Sequence, residues 1–117
     1  MTWKIVLFLI FLHSSQAYAT VNDSCNIIAN LAEDVMIKRQ NGASKAQLMA
    51  EVQKLRIESE KSTNEEDHRH LADESGLTAM FTQEVFEKEL YENNKMKKRA
   101  IKDYRSFVYK ECMLANP

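Results

Sequence analysis

The sequence predicts an all-α fold, a compact bundle of about four helices tied by one terminal disulfide. The 117-residue chain contains one proline and two glycines, too few for a multi-stranded sheet with tight turns. Ala, Leu, Met, Glu, Lys and Gln are frequent, and these residues favour helix. Large apolar residues recur at spacings of three and four, which is typical of one face of an amphipathic helix.

The first 19 residues, MTWKIVLFLIFLHSSQAYA, are predicted to be a cleaved secretory signal peptide. Lys4 precedes an apolar run over residues 5–12, and Ala17 and Ala19 place small residues where a signal peptidase reads them. A retained transmembrane helix requires roughly 20 apolar residues, and this run is far shorter. We expect cleavage after Ala19, which leaves residues 20–117 as a single helical domain without a membrane span.

The predicted mature chain contains two cysteines, Cys25 near its start and Cys112 near its end. In an oxidising compartment, two cysteines of a small exported domain usually pair. We therefore predict one disulfide that closes most of the chain into a loop. Two free thiols or an intermolecular bridge are the alternatives.

Two helices are predicted in the first half of the domain. The first begins near Cys25 with Asp23 or Ser24 as its N-cap, and Gly42 ends it. Its apolar stripe consists of Ile27, Ile28, Leu31, Val35 and Met36. A capping box of Ser44 and Gln47 starts the second helix, which we expect to form a hairpin with the first. The second stripe consists of Leu48, Met49, Val52 and Leu55.

Residues 58–75 are almost wholly polar and are predicted to be the most mobile part of the domain. This connection is either a loop or a solvent-facing helical extension. Thr63 and Glu66 have the spacing of a second capping box. Gly76 is predicted to end any helix that forms here.

Two further helices are predicted on either side of a break at Asn93 and Asn94. The third has the stripe Leu77, Met80, Phe81, Val85, Phe86 and Leu90. The fourth covers residues 95–114, with Ala100, Ile101, Tyr104, Phe107, Val108 and Cys112 on one broad face. A bridge from Cys112 to Cys25 requires the end of the last helix to lie against the start of the first.

Charge and motifs argue against several function classes. The formal net charge of −1 does not favour general nucleic-acid binding, which requires a basic face. No Gly-x-Ser-x-Gly elbow occurs, and both cysteines are expected to pair with each other. We therefore predict a protein that is not an enzyme and carries no cofactor. The weak candidate for a metal site is Glu66, His70 and Glu74, with Asp73 as an alternative ligand, and the preferred interpretation of these residues is a solvated charged face.

Several residues are candidates for binding a partner. The basic cluster Lys95, Lys97, Lys98 and Arg99 suits an anionic surface, or is a solvated helix face. Tyr91 and Tyr109 fall less clearly on the buried stripes, and tyrosine is enriched at binding hot spots. Arg39 and Gln40, at the end of the first helix, are either such a hot spot or an architectural clamp that hydrogen-bonds carbonyl groups of a neighbouring helix end.

Two blocks of sequence carry a family resemblance. The first is C-x₆-A-E-x-x-M-x-x-R-Q-x-G, formed by Cys25, Ala32, Glu33, Met36, Arg39, Gln40 and Gly42. The second is A-I-x-D-Y-x-x-x-V-Y-x-x-C, formed by Ala100, Ile101, Asp103, Tyr104, Val108, Tyr109 and Cys112. Together they resemble a group of small exported helical proteins of Gram-negative bacteria and their phages and prophages. The resemblance implies a periplasmic domain with a terminal disulfide and implies no activity.

These observations favour a periplasmic, non-enzymatic protein that binds another protein, such as an envelope component or a cell-wall hydrolase. Secretion into the medium is the alternative location. An anionic membrane-surface binder that uses the basic cluster is the alternative function, and a metal-dependent hydrolase is a less favoured one. The sequence does not specify the oligomeric state.

Overall fold

In the computed structural model the backbone is described for residues 2–116 and the side chains for residues 21–116. The chain forms four helices, α1 (Thr2–Gln40), α2 (Lys45–Lys61), α3 (Glu65–Val85) and α4 (Asn94–Ala115), and the described residues contain no strand. The predicted all-α class is therefore confirmed. The predicted signal peptide, residues 1–19, lies outside the part of the chain whose side chains are described.

The start of the first helix differs from the prediction, whereas its end agrees with it. Asp23 and Ser24 cap nothing, because α1 is already helical at both positions and no proline or glycine precedes them. At the other end Gly42 has a φ of +93°, the left-handed conformation in which glycine is favoured. The N–H of Gly42 donates to the carbonyl of Arg39 and the N–H of Ala43 to that of Lys38, at 3.1 and 3.0 Å. This double hydrogen bond is a Schellman motif, which ends the helix.

The predicted capping box of α2 is confirmed. The hydroxyl of Ser44 accepts a hydrogen bond from the N–H of Gln47 at 3.1 Å, and the N–H of Ser44 donates to Gln47 Oε1 at 2.8 Å. The prediction that α2 forms a hairpin with α1 is wrong, since α2 packs mainly along α3 and contacts α1 far less. An ion pair of 2.8 Å between Lys38 and Glu51 links α1 to α2.

Most of the polar stretch 58–75 is helical, which is the second of the two predicted alternatives. Only residues 62–64 separate α2 from α3, and the N-cap of α3 is Asn64 rather than Thr63. Asn64 Oδ1 accepts a hydrogen bond from the N–H of Glu66 at 2.9 Å. The prediction that Gly76 ends a helix is wrong, because it lies inside α3. A glycine inside a helix costs only about 0.5–1 kcal/mol, which is less than burial of a side chain such as Phe81 contributes.

The last helix runs antiparallel to the first. Near its end, Cys112 forms a disulfide with Cys25 across 87 residues, with the two Cα atoms 5.6 Å apart. Near its start, Lys97 Nζ donates a hydrogen bond to the carbonyl of Gln40, the last residue of α1. The predicted pairing of the cysteines and the placement of α4 against α1 are confirmed, and Asn93 is the N-cap of α4.

The core lies where α1, α2 and α3 converge with α4. Its buried cluster consists of Ala32, Val35, Met36, Leu48, Phe81, Val85, Tyr104 and Val108. Phe81 and Tyr104 meet edge to face, with ring centroids 6.2 Å apart. Burial raises the pKa of the Tyr104 hydroxyl, so the phenol stays neutral. The helix α1 packs along α4 and also contacts α3, whereas α3 and α4 lie further apart and meet through side chains such as these two.

Candidate protein-binding groove

Arg39 and Gln40 hold the segment that connects α3 to α4. Arg39 Nη2 donates to the carbonyl of Lys88 at 3.2 Å, and Gln40 Nε2 donates to the carbonyl of Glu89 at 2.9 Å. Gln40 Oε1 accepts from the N–H of Tyr91 at 3.1 Å, and the Gln40 side chain is fully buried. The hydrogen bonds expected of the architectural clamp are therefore present. Their partners are backbone groups of the segment that connects α3 to α4.

Tyr91 and Tyr109 do not form a common patch. Tyr91 contacts Gln40 at the end of α1, whereas the Tyr109 hydroxyl donates to Asn22 Oδ1 at 2.6 Å. Asn22 and Gln40 are separated by about 27 Å along the helix axis, given a rise of about 1.5 Å per residue. Both tyrosines are half-buried.

The basic cluster is divided by the structure. Lys97 is half-buried because its ammonium group bonds the carbonyl of Gln40, as described above. Lys95, Lys98 and Arg99 are exposed. Together with Met96 and Lys102 these three residues line a shallow depression of about 400 Å³.

The weak metal candidates are not assembled into a site. The described residues contain no group of three or more His, Cys, Asp or Glu side chains placed to hold a metal ion. Glu66, His70 and Glu74 follow one another along α3, so Glu66 and Glu74 are about 12 Å apart along its axis. His70 and Glu74 line a groove beside α1, and the lining does not include Glu66.

Leu90, which lies beyond the end of α3 at Val85, is 43% exposed, and three further apolar residues predicted to lie in the core are also exposed. The exposed fractions are 63% for Ile27, 52% for Met80 and 50% for Phe107. Each has an apolar neighbour in the chain that packs inward or is half-buried, namely Ile28, Phe81 and Val108. Consecutive residues of a helix project about 100° apart, so both members of such a pair cannot point to the centre of one face. The predicted apolar stripes therefore included, at these positions, residues that are exposed to solvent.

The exposed apolar residues line two adjoining grooves. One, of about 550 Å³, lies between α1 and α3 and includes Ile27 in its lining. The other, of about 460 Å³, lies between α3 and α4 and includes Met80 and Phe107. Ile28 and Leu77 line both, so the two form one surface, called here the α1/α3/α4 groove. It exists because α3 and α4 both pack on α1 without packing along each other.

The charged residues of this groove are nearly all acidic. Its carboxylates are Asp34, Asp73 and Glu74 in the first part and Glu84 and Glu111 in the second. Among the described lining residues no Lys or Arg is present, and His70 is the one further titratable side chain. The sequence analysis missed this site: adjacent apolar pairs on three helices indicate that one member of each pair is exposed, but not that the exposed members share one surface. An apolar groove with carboxylates at its margin is suited to binding another molecule.

The described residues contain no helix that is both long and apolar enough to cross a membrane. No protein-family model, curated protein or solved structure matches the chain. The resemblance of the two cysteine-containing blocks therefore stays a prediction, and the functional argument rests on the geometry of the α1/α3/α4 groove.

Proposed function

We propose that this chain is a non-enzymatic, exported protein that acts by binding another protein through the α1/α3/α4 groove. The observation that carries the proposal is the exposure of Ile27, Met80 and Phe107, each by half or more, on one continuous surface. Exposed apolar surface with a polar rim marks interaction sites, since it gains free energy only when a partner covers it.

The compartment proposed is the periplasm, and the partner is an envelope component or a cell-wall hydrolase. The Cys25–Cys112 disulfide supports export, because structural disulfides persist in oxidising compartments. The resemblance to small periplasmic proteins supports the same location. Mass spectrometry of the protein recovered from a periplasmic fraction should give the mass of residues 20–117 with one disulfide.

Site-specific photocrosslinking tests the binding surface. A photoreactive phenylalanine analogue replaces Met80 in one variant and Ile57 in a control, since Ile57 is 50% exposed on α2 and does not line the groove. In cells that export the protein, the Met80 variant should give one discrete adduct with another protein, and the Ile57 variant should not. Expressing excess untagged protein should abolish the adduct. Equal adducts from both positions, or none from Met80, would contradict the proposal.

A second candidate function is binding to an anionic membrane surface. The observation that favours it is the exposure of Lys95, Lys98 and Arg99 around Met96, which is itself 38% exposed. Co-sedimentation with anionic and neutral vesicles over a salt series tests it. Binding should be weakened by the double variant Lys98→Gln/Arg99→Gln and not by Lys54→Gln/Lys61→Gln, which removes the same charge from α2. Binding that is equal for both vesicle types would exclude this function.

A further inference from the structure

We infer that the groove receives a cationic amphipathic helix of the partner protein, an inference that rests on the proposed function. Three features of the described residues support it: the sign of the charge around the groove, its length, and the secondary structure of its walls.

The first feature is the segregation of charge. Five carboxylates line the groove, of which Asp34 is paired with Lys38 at 3.0 Å, and none of its described lining residues is Lys or Arg. The whole chain carries 16 basic and 17 acidic side chains, so a groove without a basic residue differs sharply from the average surface. The acids lie on both sides of the shared apolar residues Ile28 and Leu77, with Asp73 and Glu74 in one part and Glu84 in the other. Complementary charge selects partners and speeds their encounter, so the bound segment should carry Lys or Arg at its margins.

The second feature is the length of the groove. Its lining on α3 extends from His70 to Glu84, which is about 21 Å at a rise of about 1.5 Å per residue. A partner helix of about four turns has the same length. Such a helix presents apolar side chains at positions i, i+3 or i+4, and i+7, which is how amphipathic helices fill hydrophobic grooves. Ile27, Met80 and Phe107 are the large apolar side chains that these anchors would cover.

The third feature is the helical character of the walls. The described residues of α1, α3 and α4 that line the groove offer no strand edge. An extended peptide that binds by strand addition needs such an edge for its backbone hydrogen bonds. A helix satisfies its own backbone groups, so it can lie on apolar side chains without leaving polar groups unpaired.

A second copy of this chain fits less well. Its own exposed basic helix is the start of α4, where Lys95, Lys98 and Arg99 surround a single exposed apolar residue, Met96. One anchor does not match a groove with three large apolar positions. A second copy is therefore an outcome to be tested and not the occupant proposed.

The test uses a labelled model peptide of about 18 residues, long enough to form a helix, with Leu on one face and Lys on the other. One control peptide carries Glu in place of Lys, and another has the same Leu and Lys composition in scrambled order. Fluorescence anisotropy measures their binding to the oxidised full-length protein. The amphipathic Lys peptide should bind at least about tenfold more tightly than either control.

Variants of the protein locate the binding. The double variant Glu84→Gln/Glu111→Gln should lower the affinity for the Lys peptide about tenfold. Phe107→Ser should lower it to a similar degree, because an apolar contact is lost. Two matched controls on α2, Glu58→Gln/Glu60→Gln and Ile57→Ser, should leave its affinity within about twofold. Circular dichroism confirms that each variant is folded. Equal binding of the scrambled peptide, or binding that the groove variants do not change, would overturn the inference.

The inference can fail while the proposed function stands. If the Met80 crosslinker captures a partner, mass spectrometry of the adduct identifies the crosslinked segment. A segment that is acidic or extended would overturn the inference and keep the groove as a binding site. A crosslink from Met80 to a second copy, accompanied by concentration-dependent dimerisation in sedimentation equilibrium, would also overturn it.

Discussion

The two helix pairs of this protein, α1 with α4 and α2 with α3, are fastened in different ways. The α1/α4 pair has the Cys25–Cys112 disulfide at one end and the Lys97–Gln40 hydrogen bond at the other. The α2/α3 pair has no disulfide, and its two helices are connected in the chain by residues 62–64. Helices that are close in sequence pay little loop entropy to meet, whereas helices separated by most of the chain lose more. The stronger fastening lies where the entropic cost is larger.

The buried faces of the two pairs also differ. In α3 the buried side chains include Ser75, Thr78 and Thr82. Their hydroxyls donate to carbonyl groups of the same helix at 2.8, 2.7 and 2.7 Å, so no partner from another helix is needed. The helix α3 buries these small hydroxyl side chains in addition to Phe81 and Val85, whereas α4 buries Tyr104 and Val108. Stability should therefore depend on a crosslink as well as on buried side chains in the α1/α4 pair, and on buried side chains without a crosslink in the α2/α3 pair.

Breaking the disulfide should have the largest effect. Loop-entropy arguments give about 4–5 kcal/mol for a crosslink that spans 87 residues. Cys112→Ser should lower the free energy of unfolding by about this amount in urea denaturation. Reductant should lower that of the wild type similarly and leave the variant unchanged. Two alkylatable thiols in the native, exported protein would contradict this prediction.

Leu48→Ala should be the next largest change, because it creates a cavity where α2 meets the core. Leu48 is 1% exposed, and truncating a buried leucine costs about 3 kcal/mol. The matched control is Ile57→Ala on the same helix, where the side chain is 50% exposed and the change should stay within about 0.5 kcal/mol. Equal urea midpoints for the two variants would show that α2 contributes little to the core.

Gln40→Ala should lower the free energy of unfolding by about 1–3 kcal/mol, the usual cost of leaving buried hydrogen-bonding groups without a partner. The groups concerned are the carbonyl of Glu89 and the N–H of Tyr91. Asn41→Ala, at the exposed next position, is the control. Equal urea midpoints for the two variants would mean that the connection after α3 is held by other contacts.

Hydrogen exchange should separate the two pairs. Residues 65–73 are exposed apart from Leu71, so local opening of this part of α3 costs little free energy. Amides in residues 58–75 should exchange at least about tenfold faster than those around Tyr104 and Val108 in α4, which corresponds to about 1.4 kcal/mol. Native-state exchange followed by mass spectrometry provides the measurement. Uniformly slow exchange would show that both pairs open only together.

Glu51→Gln should have the smallest effect. The hydrogen bond to Glu51 raises the pKa of Lys38 above its ordinary value of 10.5. A raised lysine pKa contributes stability below the unfolded-state value, and this contribution is lost as the pH rises through the folded-state value. Both side chains are more than a third exposed, so the loss at neutral pH should stay below about 1 kcal/mol and shrink in high salt. Urea denaturation from neutral pH to about pH 11 tests this, with Glu58→Gln as control.

The features predictable from the sequence were those set by local chemistry. Gly42 and the Ser44–Gln47 box each act within a few residues, so their effect does not depend on the rest of the fold. The break predicted at Asn93 coincides with the start of α4, whereas α3 already ends at Val85, earlier than the predicted stripe through Leu90. The pairing of Cys25 with Cys112 was predictable because the chain offers one intramolecular choice.

The features that were not predictable depend on tertiary contacts. Gly76 is predicted from the sequence to end a helix. In the structure α3 continues through it, because residues on both sides of it are packed. Periodicity alone did not show which member of a pair such as Met80 and Phe81 lies inside, because the direction of the core depends on where the neighbouring helices pack. The groove results from the separation of α3 and α4, and no local pattern records that separation.

The antiparallel pairing of the first helix with the last determines when the protein can become native. Cys25 is synthesised 87 residues before Cys112, a delay of roughly 4–17 s at about 5–20 residues per second. During that time the α2/α3 hairpin can form, since its contacts are local, while the face of α1 that packs on α4 has no cover. Ribosome stalling before Cys112 therefore leaves the Cys25 thiol without its partner, beside the uncovered Ala29 and Ala32, and the crosslink can form only after the end of α4 has been synthesised.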